Sequence, residues 1–125
     1  MQTQFSLDET LYRAVKPAAM FWKEDDTISS AALKDSHGAS VDRLGDRSEM
    51  EAIDAMHEKR PESGIISVTC QDCQDVNAVV KYKPMDDNLY HSEIHSSNGK
   101  ITLTSSQRKN LAKKAIIKLR PASIG

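Results

Sequence analysis

Asp35, His37, Asp42 and Arg43 are the residues whose types and close spacing most suggest chemistry, since together they could form an acid–base group or contact a phosphate. They lie in the segment 28–43, which mixes small residues, serines and charges and is too polar for an ordinary core element. Only three of its side chains could anchor it in a core, namely Ile28, Leu33 and Val41. We therefore predict a tightly folded backbone that presents polar side chains from a defined scaffold.

The same residues also fit purely structural roles. The pair His37 and Gly38 is typical of a turn, and the neighbours Asp42 and Arg43 are typical of a local ion pair of small energetic value. The sequence has no glycine-rich phosphate loop and no nucleophile elbow. Catalysis is therefore possible in this segment, but no motif supports it.

Cys70 and Cys73, followed by His91 and His95, have the ligand types and the approximate order of a zinc site. Residues four apart on a strand share a face, so the two histidines could converge. However, Cys70 ends an apolar stretch, where cysteine commonly acts as a small hydrophobic residue. A redox role is disfavoured because such motifs work at the start of a helix. We expect no metal and no cofactor, and we keep zinc as the minor alternative.

Arg13 on an early predicted strand, the serines Ser29 and Ser30, and a later glutamate such as Glu93 resemble the layout of ADP-ribosyltransferases. That resemblance implies an arginine that binds a phosphate, a serine that shapes the nicotinamide site and a glutamate that orients the ribose. The serines lack the flanking residues usual in that layout. The resemblance therefore supplies an enzyme alternative and not the main hypothesis.

Three segments of the chain together resemble a family of small uncharacterised bacterial proteins. The family pattern has a strand bearing Tyr-Arg, a small-residue segment ending in Ser-Val-Asp, and a Pro-x-Asp-Asn-x-x-His segment. The matching positions are Tyr12, Arg13, Ser30, Ala31, Lys34, Asp35, Ser40, Val41, Asp42, Pro84, Asp87, Asn88 and His91. The resemblance implies no particular activity, but it implies that function lies where the three segments meet. The candidate binding surface is therefore Arg13, Ser30, Asp35, Ser40, Asp42, Asn88 and His91.

Strands that could position these residues are predicted from apolar runs and from the alternation of apolar and polar residues. These patterns predict strands over residues 11–16, 65–70, 76–83 and 90–95. The short polar connection between the predicted strands 65–70 and 76–83 favours an antiparallel hairpin. The predicted strand 90–95 could extend this hairpin as a meander. A turn at Asn98 and Gly99 leads toward a further strand over 100–103.

Two capping boxes predict helices. Ser48 and Glu51 start a short amphipathic helix over about 49–58, and Thr104 and Gln107 start a second helix that runs to about Leu119. The second helix has a core-facing stripe surrounded by lysines, formed by Ala112, Ala115, Ile116 and Leu119. The predicted fold is α+β, with a small antiparallel sheet, two or three helices, and a basic amphipathic helix at the C-terminus.

Length and composition bound the function. The 125 residues correspond to a single globular domain, 1–125, with a modest aliphatic core because the apolar content is 38%. No apolar run reaches the length of a membrane span, and the N-terminus has no signal-peptide pattern. We therefore expect a cytoplasmic protein without membrane contact, whose cysteines are reduced.

Charge is distributed unevenly along the chain. Residues 1–93 carry 18 acidic against ten basic residues, a net charge of −8, whereas residues 94–125 carry seven basic and no acidic residues, a net charge of +7. This opposition either holds the C-terminal helix against the acidic body or offers it, from Arg108 to Arg120, to an acidic partner protein. Nucleic-acid binding is unsupported because the segment lacks interleaved aromatic residues and the whole chain has a net charge of −1.

We therefore predict a non-enzymatic accessory or protein-interaction domain of a bacterial cytoplasmic system. The alternatives are a small nucleotide- or nucleic-acid-binding module and an ADP-ribosyltransferase-like enzyme. Geometry separates these classes. If Arg13, Asp35, Asp42 and His91 converge in a concave site, the binding and enzyme hypotheses gain; if they scatter into caps and turns, both fail.

Overall fold

The computed structural model describes residues 2–125 and confirms the α+β fold, with one six-stranded antiparallel sheet and three α-helices. The strands are β1 (Thr10–Val15), β2 (Ala39–Arg43), β3 (Gly64–Thr69), β4 (Val79–Tyr82), β5 (His91–His95) and β6 (Ile116–Leu119). The helices are α1 (Glu49–Lys59), α2 (Cys70–Asp75) and α3 (Ser105–Lys114), and a 3-10 helix spans Ser30–Leu33. The strand order across the sheet is β4-β5-β2-β1-β3-β6.

The sheet is covered on both faces, and β1 lies near its centre. Because successive side chains of a strand point to opposite faces, Leu11 and Val15 lie on one face and Tyr12 on the other. Leu11 and Val15 belong to the larger core, which α2, α3 and the 3-10 helix close. On the opposite face α1 covers a smaller core of buried residues, formed by Tyr12, Ala52, Met56 and Ile65. The three anchors expected in the segment 28–43 are all buried in the larger core.

The predicted hairpin after β3 is wrong. The residues that follow β3 form α2, whose start is a capping box in which Thr69 accepts from the amide of Asp72 and Asp72 accepts from the amide of Thr69. This helix carries the chain across the sheet, so β4 lies at the far edge and pairs with β5 instead. Of the predicted meander, only the antiparallel pairing of β4 with β5 is confirmed, because β3 does not pair with β4. Residues 100–103 form no strand and contribute only a bridge between Ser97 and Lys100.

The C-terminal helix is shorter than predicted. It begins at the expected capping box of Thr104 and Gln107, but it ends at Lys114, and the residues after it form β6 on the free side of β3. The β-branched residues that begin β6 favour a strand, and Ile116, expected in the core, is more than half exposed. Arg108 therefore lies on α3, whereas Arg120 lies beyond β6, and no single basic helix joins them.

Part of the basic C-terminal segment pairs with the acidic body of the protein. Three ion pairs connect them: Lys114 with Asp75 at 3.6 Å, Lys118 with Glu49 at 3.2 Å, and Arg120 with Asp26. These pairs are partly exposed, so each contributes little to stability. The basic C-terminal segment thus pairs in part with acidic residues of the same chain. Its binding to an acidic partner protein stays a prediction. No helix within residues 2–125 is long and apolar enough to cross a membrane.

Candidate functional site

The sheet splits between β1 and β2. These strands pair at only two positions, Leu11 with Arg43 and Tyr12 with Asp42. Beyond Tyr12, β1 continues to pair with β3 and β2 continues to pair with β5. β1 and β2 therefore diverge, and the backbone groups that face each other across the gap do not form sheet hydrogen bonds with one another. Such groups need other hydrogen-bond partners. Arg13, the next residue of β1, supplies a partner for one of them, the carbonyl of Ser40 on β2.

Arg13 bridges the split with its guanidinium. Its Nε donates to the carbonyl of Ala32 at 2.8 Å and its Nη1 donates to the carbonyl of Ser40 at 2.9 Å. Burial lowers the pKa of Arg13, and the charge of Asp35 offsets part of that effect. Among residues 2–125, no carboxylate forms an ion pair with Arg13. Arg13 therefore remains a cation held only by neutral carbonyl groups.

A cleft of about 550 Å³ opens beside this split, between the sheet and the C-terminal end of α1. Six of the seven candidate residues line it: Arg13, Asp35, Ser40, Asp42, Asn88 and His91. The seventh, Ser30, begins the 3-10 helix and is not in the lining. The three segments of the family pattern therefore meet at one concave site, which is the arrangement that favours the binding and enzyme hypotheses.

The wall opposite Arg13 is formed by the segment before β5. Asn88 Nδ2 donates to Asp42 Oδ1 at 2.8 Å, and this bond fastens the segment to β2. His91 lies directly opposite Asp42 in the register of β2 and β5, so both side chains are on the same face of the sheet. His91 Nε2 lies 3.7 Å from Glu93 Oε2, and Glu93 Oε1 lies 2.8 Å from His95 Nε2. Glu93 is thus hydrogen-bonded to His95, whereas its distance from His91 is too long for a hydrogen bond.

Asp35 reaches the cleft from a tight turn. Its carboxylate accepts from the amide of His37 at 2.9 Å, and its carbonyl accepts from the amide of Gly38, which has a φ of +91°. The turn predicted at His37 and Gly38 is confirmed. The His37 side chain is 94% exposed and does not line the cleft. Of the acid–base group suggested by the sequence, Asp35 and Asp42 line the cleft, whereas His37 does not.

Arg43 has a structural role away from the cleft. It pairs with Glu9 through two bonds, Nε to Oε2 at 2.8 Å and Nη2 to Oε1 at 2.7 Å, so the predicted local pair with Asp42 is wrong. Its guanidinium also donates to the carbonyls of Gln2 and Gln4 and lies 4.1 Å from the centre of the Phe5 ring. Neighbouring strand residues point to opposite faces, which is why Asp42 and Arg43 separate. Arg43 ties the N-terminal segment to the sheet.

The proposed zinc ligands are not brought together. Cys70 and Cys73 are buried in the larger core, whereas His91 and His95 lie on the opposite face of the sheet. No group of three or more His, Cys, Asp or Glu side chains within residues 2–125 is placed to hold a metal ion. Cys70 does start a helix, contrary to expectation, but burial raises the pKa of its thiol to about 12. It is therefore not a reactive thiolate at neutral pH.

The ADP-ribosyltransferase layout is not assembled either. Ser29 caps the 3-10 helix, with its hydroxyl accepting from the amide of Ala31 at 3.1 Å. Neither Ser30 nor Glu93 lines the cleft that contains Arg13. The three residues of that layout therefore do not surround a common site.

Several residues of the cleft were missed by the sequence reasoning. Lys59 and Arg60 come from the end of α1, Lys16 from just beyond β1, and Met85 and Asp87 from the segment before β5. A second cleft of about 240 Å³ shares Asp42, Lys59, Asp87 and Asn88 with the first. Lys59 Nζ donates to the carbonyl of Asp87 at 3.2 Å where the two clefts meet. We call these two adjoining clefts together the groove. Of the five residues named first, only Asp87 had been indicated by the sequence, through its match to the family pattern.

No protein-family model, no curated protein and no solved structure matches this chain. The resemblance to small bacterial proteins therefore stays a prediction.

Proposed function

We propose that this protein is a non-enzymatic protein-interaction domain of a bacterial cytoplasmic system, and that it binds a polar segment of a partner protein in the groove. Six candidate residues, from three separate parts of the chain, converge on one cleft. Residues that served only as caps and turns would have no reason to meet in a concave site, so the convergence supports a binding site and also favours the nucleotide-binding and enzyme alternatives. The observation that carries the choice of a protein ligand is the equal number of basic and acidic residues in the lining of that cleft.

The charges of the cleft favour a polypeptide over a nucleic acid or a polyphosphate. The lining has four basic residues, Arg13, Lys16, Lys59 and Arg60, and four acidic residues, Asp35, Asp42, Glu62 and Asp87. A phosphate backbone would meet all four carboxylates, which oppose it electrostatically. A polypeptide segment can present both signs of charge together with backbone donors and acceptors. The balanced lining therefore fits a protein partner best.

Apolar side chains along the groove support the same ligand class. Met56 and Met85 line the first cleft and Leu89 lines the second. Met85 and Leu89 are 48% and 60% exposed. Met56 belongs to the smaller core and is 7% exposed. An exposed methionine and an exposed leucine beside polar residues are typical of surfaces that receive the side chains of another protein. Met85 and Leu89 would therefore contribute the hydrophobic part of the binding energy.

The enzyme and nucleotide alternatives receive less support. In the linings of the two clefts, no serine or cysteine is hydrogen-bonded to a histidine, an arrangement that nucleophilic catalysis uses. The aromatic rings of the two linings are His91 and Tyr90, and the Arg47 guanidinium lies 3.5 Å from the centre of the Tyr90 ring, where a stacked base would lie. The cytoplasmic part of the proposal is supported by Cys70 and Cys73, which are both free although they lie one helical turn apart.

The proposal is tested by affinity purification of the tagged full chain from its host, with quantitative mass spectrometry. Lys59→Glu reverses a charge at the junction of the two clefts, and Lys109→Glu makes the same change on the exposed side of α3. We expect a partner that wild type and Lys109→Glu capture equally and that Lys59→Glu captures at least about tenfold less, because reversing a charge in an interface opposes binding. Equal capture by all three proteins, or no specific partner, would reject the proposal.

A further inference from the structure

Arg13 is a half-buried cation whose hydrogen bonds leave one nitrogen free. Nε and Nη1 donate to the carbonyls of Ala32 and Ser40, whereas Nη2 donates to no acceptor within residues 2–125. Nη2 is accessible to solvent, because Arg108 Nε is the one buried side-chain nitrogen or oxygen of the described residues that lacks a hydrogen-bond partner. The two carbonyls hold the guanidinium in place, and Arg13 lines the cleft, so an anion bound there can accept from Nη2 in place of water.

The surrounding charges select an anion with a single negative charge. Asp35 is close enough to influence the pKa of Arg13, and Asp42, Glu62 and Asp87 line the same cleft. These carboxylates would repel a phosphate dianion about twice as strongly as a carboxylate. A planar carboxylate also matches the fork of a guanidinium. The cleft is therefore better suited to a carboxylate than to a phosphate.

Arg13 lies within the groove and not at one of its ends. The lining continues past it to Lys16, about 10 Å further along the chain at the usual rise of a strand. In the other direction it continues through Asp42 and Asn88 into the second cleft. A segment that fills the groove would pass Arg13 and present a side chain to it, whereas a chain terminus would have to stop there.

The geometry points to Arg13 as the anchor for an acidic side chain, from an Asp or Glu residue inside the partner segment. This inference rests on the proposed function and adds the residue type that the partner must carry. The carboxylate accepts a hydrogen bond from Nη2 and gives the guanidinium the anionic partner that the described residues of the protein do not provide. Lys16 and Arg60, which line the same cleft, add to the attraction.

Blocked tripeptides test the anchor without knowledge of the partner. The probe acetyl-Gly-Glu-Gly-amide is titrated into isotope-labelled full-length protein, and shifts of the Arg13 Nε–H signal and of the Val41 amide are followed by NMR. We expect saturable shifts with the Glu probe and none with acetyl-Gly-Gln-Gly-amide, which has the same shape without the charge. Equal shifts with both, or tighter binding of inorganic phosphate or of acetyl-Gly-Gly-Gly with a free carboxyl terminus, would overturn the inference.

A variant of Asp35 tests the anchor without changing Arg13, whose hydrogen bonds also contribute to the fold. Asp35→Asn removes a carboxylate beside Arg13 and retains the oxygen that accepts from His37, so we expect it to bind the Glu probe roughly threefold to tenfold more tightly. Asp75→Asn is the matched control, because Asp75 lies on α2 and pairs with Lys114 outside the cleft. Unchanged affinity in Asp35→Asn, or equal tightening in both variants, would refute the anchor. Arg13→Gln, if it folds, should abolish the shifts.

The two proposals can fail separately. If the Glu probe binds as expected but no partner is captured, the anchor stands and the interaction function is rejected. If a partner depends on Lys59 but the Glu probe does not bind, the interaction function stands and the anchor is rejected.

Discussion

Two arginines on neighbouring strands show how the same residue type takes different roles. Arg43 is 2% exposed and its charge is matched by Glu9 through a pair of parallel hydrogen bonds. Arg13 lies in the split of the sheet and has only backbone carbonyls as acceptors. A matched buried charge is part of the folded structure, whereas a half-buried guanidinium with a solvent-accessible nitrogen beside a cleft is available to a ligand. This contrast separates Arg43, which is structural, from Arg13, which we propose as functional.

The Arg43–Glu9 pair predicts a loss of stability in acid. Burial alone would raise the pKa of Glu9, but the hydrogen bonds from Arg43 and from the Gly45 amide, with the charge of Arg43, lower it below its ordinary value of 4.5. A carboxyl with a lowered pKa in the folded state stabilises the fold above its unfolded pKa and loses that contribution as the pH falls through its folded pKa. We expect the unfolding free energy, measured with urea between pH 6 and pH 2.5, to fall below about pH 4.5.

The variant Glu9→Gln isolates this contribution. It should reduce the dependence of the unfolding free energy on acid pH and should lower stability at neutral pH, since Arg43 then lacks its charge partner. Glu58→Gln, an exposed change on α1, is the control for the loss of one carboxyl group. An acid dependence in Glu9→Gln as steep as in wild type would contradict the assignment.

At the scale of elements, the turn before β2 positions the cleft. Gly38 has a φ of +91°, and a Cβ atom at this position would lie 2.8 Å from Cδ2 and 2.9 Å from Nε2 of His95. The turn therefore depends on glycine both for its backbone conformation and for its close approach to β5. It also holds Asp35 next to Arg13, so its conformation and the cleft are linked.

Gly38→Ala tests this dependence. We expect a loss of about 1–3 kcal/mol in unfolding free energy, because the substitution combines a strained backbone conformation with a steric contact. Gly99→Ala is the matched control, since a Cβ there would have no neighbour within 4 Å, and it should change stability by less than about 0.5 kcal/mol. Equal effects of the two substitutions in thermal and urea unfolding would show that the turn is not constrained as described.

Local signals predicted the elements well where short-range interactions decide them. The capping boxes at Ser48 and Thr104 correctly placed the starts of α1 and α3, because they satisfy helix amides within four residues. The same signal at Thr69 and Asp72 would have identified α2, but the apolar runs on either side suggested a hairpin. The end of α3 could not be predicted, because β6 is selected by its pairing with β3, which is distant in sequence.

The candidate site could be predicted from the sequence only in part. The pattern on which the predicted resemblance rests contains eight residues of the lining, although nothing local indicates that they meet: Arg13, Asp35, Ser40, Val41, Asp42, Asp87, Asn88 and His91. Lys16, Lys59 and Arg60 could not be predicted, since their place in the lining follows from how α1 packs across the sheet. Ser30 was included by the pattern but does not line the cleft.

At the scale of the whole molecule, two surfaces could bind a partner. One is the groove between α1 and the split sheet, which gathers residues from three parts of the chain. The other is the basic C-terminal segment, whose Lys114, Lys118 and Arg120 are already paired with acidic residues of the same chain. The groove has free groups of both charge signs, whereas part of the charge on the C-terminal segment is neutralised. Partner binding is therefore expected at the groove.

Site-specific photo-crosslinking in host cells tests this claim most directly. A benzophenone amino acid is placed at Leu89, which lines the second cleft and is 60% exposed, or at Ile116, which lies on β6 and is 57% exposed. Because the two positions are equally accessible, a difference in crosslinking reports where the partner binds. We expect a specific protein adduct from Leu89 and none from Ile116. An adduct from Ile116 alone, equal adducts from both positions, or no adduct at either would contradict the account.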